Sequence, residues 1–76
     1  MNKADFITEV EDILQADPGT LTMETRLEDI EGWDSSGLLG IIALLDGELE
    51  IDINVEKIRN CVTFQELFDI AADKLD

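Results

Sequence analysis

The chain has 76 residues, a formal net charge of −14, no histidine and one cysteine. So acidic a balance argues against binding nucleic acid or inserting into an anionic membrane, which needs clustered Lys and Arg. Without histidine, Ser-His-Asp catalysis and most zinc sites are excluded. Hydrophobic residues make up 45% and charged residues 32%, which describes one globular domain, residues 1–76, with a small core. One cysteine and no secretory-type N-terminus fit a cytoplasmic chain without disulfides. The longest apolar run, Leu38 to Leu45, is interrupted by Gly40 and is too short to span a bilayer.

The first 16 residues read as a helix, because Phe6, Val10, Ile13 and Leu14 recur on one face with Glu9, Glu11 and Asp12 between them. Asp17-Pro18-Gly19 is the expected stop. Residues 18–34 form a long connection whose apolar members Leu21, Leu27 and Ile30 are expected beneath the helices. The second helix is expected from Ser35 to Leu49, with Leu38, Ile41, Ile42, Leu45 and Leu49 inward. Its other side carries Ser36, Gly40, Ala43 and Gly47, flanked by Leu39 and Leu44, with Asp46 and Glu48 at the borders. Three glycines in one helix (Gly37, Gly40, Gly47) each cost about 1 kcal/mol relative to alanine. They point either to close approach of another surface or to tight packing inside the domain.

Residues 49–55 alternate like a strand, but no second segment alternates convincingly to pair with them. A helix end followed by an extended loop is the better account. Asn54 suits the cap of a short helix over 55–60, with Val55 and Ile58 inward. Thr63-Phe64-Gln65-Glu66 has capping-box spacing and opens the last helix, whose inward set is Phe64, Leu67, Phe68, Ala71 and Leu75. The fold expected is all-α: three main helices and one short one in a small bundle, with a long loop between the first and second.

Asp34-Ser35, just before the apolar run, places a hydroxyl in the first turn of the second helix. Unpaired N–H groups and the helix dipole stabilise an anion there. Taken alone, such a pair also describes an ordinary helix cap. With Leu27 to Ile30, Gly32-Trp33-Asp34-Ser35, Leu38 to Leu49, Ile51-Asp52-Ile53 and Thr63 to Leu67, the chain resembles an acyl carrier protein over nearly its whole length.

That resemblance implies that Ser35 receives 4′-phosphopantetheine from coenzyme A through a phosphopantetheinyl transferase, which Asp34 and a metal ion help to engage. The arm's thiol would carry acyl groups as thioesters to enzymes of fatty-acid, polyketide or specialised lipid pathways. The domain, expected to be monomeric, would not itself be an enzyme. Its acidic surface would dock on basic patches of those partners. Ser36, Leu39, Ala43, Asp46 and Glu48 are the expected partner contacts.

The sequence departs from the family pattern at Ser36, where an apolar residue is usual, and at Gly37 and Gly40, where fatty-acid carriers are often acidic. Its segment 54–60 is also shorter. These departures favour a dedicated or secondary pathway over general fatty-acid synthesis. A D-alanyl or aminoacyl carrier, or an unmodified acidic helical adaptor, are the alternatives. Calcium binding at Asp46 to Asn54 fails on register, because starts at Asp46 or Glu48 put Ile51 and Lys57, or Ile53 and Arg59, where an EF-hand needs Gly and Glu. Trp33 is either a lid over the arm or a loop anchor, and Cys61 is expected to be a small core residue.

Overall fold

The computed structural model describes residues 1–76 and contains four α-helices and no strands. These are α1 (Lys3–Ile13), α2 (Ser35–Leu49), α3 (Val55–Arg59) and α4 (Phe64–Ala71). The all-α bundle expected from the sequence is therefore the fold. Its one core is a cluster of 15 buried apolar residues drawn from all four helices and the first loop. Phe6 of α1 meets α4 in an aromatic cluster, edge-on to Phe68 at 5.9 Å and stacked on Phe64 at 6.4 Å.

Local chemistry explains most of the helix ends. Asn2 caps α1 by accepting the Asp5 amide, and Asn54 caps α3 by accepting the Lys57 amide at 3.0 Å. The capping box of Thr63 and Glu66 opens α4. At the end of α2, Glu50 adopts a left-handed conformation (φ 55°), and the Ile51 amide returns to the Leu45 carbonyl at 2.9 Å. Beyond it, residues 51–54 are an extended loop with Ile51 and Ile53 half-buried and Asp52 and Asn54 exposed. The strand-like alternation is thus spent on a loop lying over the core.

Several expectations need correction. Helix α1 ends at Ile13 rather than at residue 16, because Gln15 turns into the left-handed region (φ 58°) well before Pro18. The short helix stops at Arg59, with Asn60 as its cap. Leu75 lies beyond α4, after a 3₁₀ turn over Ala72–Lys74, and is only half-buried. Ile30 and Ile42 are half-buried and pack against the core as expected, whereas Val55 is half-buried without joining it and Leu44 lies within it. Gly40 does not lie on the open face of α2. A β-carbon there would come within 2.6 Å of Ile13 Cγ2, so α1 and α2 pack closely at this point.

The long first connection is well ordered by bonds at both ends. Glu11 is buried to 5% exposure, and its Oε2 accepts the amides of Gly19 (2.9 Å) and Leu21 (3.2 Å). Further along, Leu27–Asp29 forms a 3₁₀ turn. The chain on either side of Arg26 pairs with the start of α4. Leu27 donates to Val62 O, and Phe64 and Gln65 donate to Thr25 O and Met23 O, around an antiparallel bridge between Arg26 and Thr63. These bonds fasten the first loop to the start of α4 shortly before the chain enters α2.

Candidate functional site at the head of α2

Two glycines fix where Ser35 stands. Any β-carbon on Gly32 would collide with the carbonyl oxygen of Leu14, at the end of α1. A β-carbon on Gly37 would strike the carbonyl oxygen of Gly32 and come within 2.9 Å of Leu14 Cδ2. The backbone entering α2 is thus pressed onto the end of α1, which only glycine permits. Two of the three helix glycines, Gly37 and Gly40, serve packing inside the domain. A β-carbon on Gly47 would meet nothing within 4 Å.

Asp34, not Ser35, is the cap of α2. Its Oδ1 accepts the Gly37 amide at 3.0 Å, while its carbonyl accepts the Leu38 amide at 2.8 Å. That leaves Ser35 exposed as the first residue of a 15-residue helix. The Ser35 and Ser36 amides donate to no acceptor in the chain, so the partial positive charge of the helix end is open there.

Beside Ser35 lies a groove of about 290 Å³ between α2 and α3. Ser35, Leu38, Leu39 and Ile42 form one wall at helical spacing, and Val55 and Arg59 form the other. Arg59 is its one charged lining residue. Arg59 is also the last residue of α3 and pairs with Glu56 Oε1 at 2.9 Å. Leu39 is 66% exposed, the most exposed of the large apolar side chains.

The other expected contacts are only partly brought together. Ser36, Leu39, Ala43 and Asp46 are spaced three, four and three residues apart, so they form one exposed stripe on α2. Glu48 is exposed too, but lies about 200° further round the helix than Asp46 and is not part of that stripe. No group of three His, Cys, Asp or Glu side chains converges anywhere in the chain, and the Asn54 side chain is taken up as a cap.

No protein-family model, curated protein or solved structure matches this chain.

Trp33 is a loop anchor in this structure. It is half-buried against the core and lines a second hollow with Glu28, Arg59, Asn60, Cys61 and Val62, which shares Arg59 with the groove at Ser35. Cys61 is half-buried at the core's edge rather than within it, with its thiol donating to the Lys57 carbonyl at 3.5 Å. Burial pushes this thiol's pKa up, the nearby Glu66 carboxylate adds to that, and Lys57 offsets part of it. Such a thiol is a poor nucleophile at neutral pH.

Sequence reasoning missed Arg59 and Ile42 as groove residues and turned Val55 inward. The signal available was the one-turn spacing of Val55 and Arg59 on α3. It identifies a shared face but cannot say that the face borders Ser35.

Proposed function

We propose that this chain is an acyl carrier, with Ser35 as the attachment point for a 4′-phosphopantetheine arm. The observation that carries this reading is the pairing of Asp34 and Ser35. Asp34 caps the helix, so the exposed Ser35 hydroxyl is not needed for that task. The residues present suit a phosphodiester at this position, because the free amides of Ser35 and Ser36 favour an anion. When bound, the arm supplies a thiol on which acyl groups travel as thioesters.

The chain's own residues then have distinct tasks. Gly32 and Gly37 hold the head of α2 against α1, so Ser35 is presented on a rigid element. Asp34 keeps Oδ2 available to a transferase, because only its Oδ1 is engaged by the Gly37 amide. The stripe of Ser36, Leu39, Ala43 and Asp46 offers partner enzymes a smooth apolar centre with an acidic end. The net charge of −14 draws the domain towards basic docking patches. A monomeric, cytoplasmic carrier without catalytic activity of its own belongs to the same proposal. No helix is long and apolar enough to cross a membrane.

The test is intact mass after incubation with coenzyme A, magnesium and a broad-specificity phosphopantetheinyl transferase. Native protein gains one phosphopantetheine and Ser35→Ala gains none. A folded native sample left unmodified by several transferases rejects the carrier reading. The acidic surface would then favour the second reading, an unmodified adaptor indifferent to Ser35→Ala. Reversing the charge of Asp46 is expected to weaken docking on a cognate enzyme, and unchanged turnover would remove Asp46 from the interface.

A further inference from the structure

An anion attached to Ser35 would join a chain that already carries 19 acidic side chains against five basic ones. The five cations are not equally placed to offset it. Arg26 pairs with Glu28 at 3.0 Å in the first loop, and Lys57 borders a different hollow with Glu66 and Ile70. Lys3 opens α1 and Lys74 lies past α4. Arg59 alone shares a groove with Ser35.

We infer that Arg59 is the internal counter-ion of a phosphodiester on Ser35, holding the root of the arm against the groove between α2 and α3. The inference rests on the carrier reading above and adds a residue and a contact that the Asp34-Ser35 pair does not contain.

Three observations carry it. First, the groove's other walls are the apolar side chains of Leu38, Leu39, Ile42 and Val55. Such walls leave a phosphate no other charged partner in the groove, although the exposure of Arg59 and Ser35 keeps the attraction solvent-screened. Second, Arg59 is held only by Glu56, through one nitrogen in an exposed pair. An exposed pair of that kind contributes little, and the guanidinium has further N–H donors whose fork matches two phosphate oxygens. Third, the free amides of Ser35 and Ser36 would offer the phosphate a second set of donors besides Arg59. Arg59 would exchange a weak partner for a better one on modification.

The experiment loads native protein, Arg59→Gln, Arg59→Lys and Glu56→Gln with coenzyme A and a transferase, and verifies each by intact mass. The arginine side-chain resonances and the phosphorus resonance are then recorded by NMR before and after loading. In native protein the Arg59 side-chain signal shifts on loading and that of Arg26 does not. The phosphorus signal differs between native and Arg59→Gln, with Arg59→Lys between them, and the difference shrinks in high salt. Glu56→Gln enlarges the Arg59 shift by freeing the guanidinium. Loading raises the melting temperature of native protein relative to its effect on Arg59→Gln by about 1–5 °C. If the protein loads but the Arg59 signal stays put, or the phosphorus signal ignores Arg59→Gln, the counter-ion is refuted and the carrier stands. If folded native protein does not load, both fall.

Discussion

Two carboxylates in this domain do the same chemistry in opposite surroundings. Glu11 accepts the amides of Gly19 and Leu21 while buried to 5% exposure, and Asp34 accepts the Gly37 amide from an exposed position. Glu11 reaches across eight and ten residues and ties a helix to a distant turn. Asp34 reaches only three and organises its own helix end. The bonds from Gly19 and Gly37 are both part-buried and only that from Leu21 is buried, so the two sites differ in the burial of the carboxylate and in its reach along the chain. The region around Glu11 is therefore built for cohesion, and the region around Asp34 for presentation.

Substitutions at four positions break or sharpen that contrast. The largest effect is expected from Gly32→Ala, which drives a methyl into the Leu14 carbonyl exactly where the two regions touch. A backbone that must shift costs about 3 kcal/mol, out of about 4–11 kcal/mol expected for a domain this size. Urea unfolding should show a midpoint well below native. Glu11→Gln comes next, at about 1–3 kcal/mol, because one acceptor oxygen remains but the charge is lost. Amide exchange at Gly19 and Leu21 should accelerate while the head of α2 stays protected. Asp34→Ala should cost about 1 kcal/mol and loosen the Gly37 amide alone. Faster exchange of the Leu21 amide in Asp34→Ala, or of the Gly37 amide in Glu11→Gln, would show that the two sites are not separate. The smallest change is a gain: Gly47→Ala should stabilise by about 0.4–1 kcal/mol, since nothing lies within 4 Å of the added methyl. A rise in melting temperature checks it.

What the sequence made legible follows the same division between local and distant interactions. The bounds of α2 and the capping box of α4 depend on residues within one turn, and both were readable. Ser35 at an exposed helix start belongs to this class. The end of α1 was not readable, because it depends on the left-handed turn at Gln15, a residue type that gives no warning of it. Glu11 sat among the charged residues of its helix and looked like solvent-facing surface. Its burial is decided by two amides from a turn that only the folded chain brings near. Gly40 was misplaced for the same reason, since its neighbour Ile13 belongs to another helix. At the candidate site the serine at the helix start is legible, whereas the division of labour between Asp34 as cap and Ser35 as free hydroxyl, and the groove, are not. Helical periodicity orders the residues of α2 and of α3 separately and leaves their juxtaposition open.

The pairing of residues 23–27 with 62–65 bears on how the molecule assembles. Its partners are far apart in the chain, so these hydrogen bonds close a long loop that contains the whole of α2 and α3. The contacts of Phe6 with Phe64 and Phe68 span still longer stretches of chain, so both closures depend on the same gathering of the helices. The segment that leads into Ser35 is thus fastened to the start of α4, so the placement of Ser35 depends on a helix some thirty residues further along the chain.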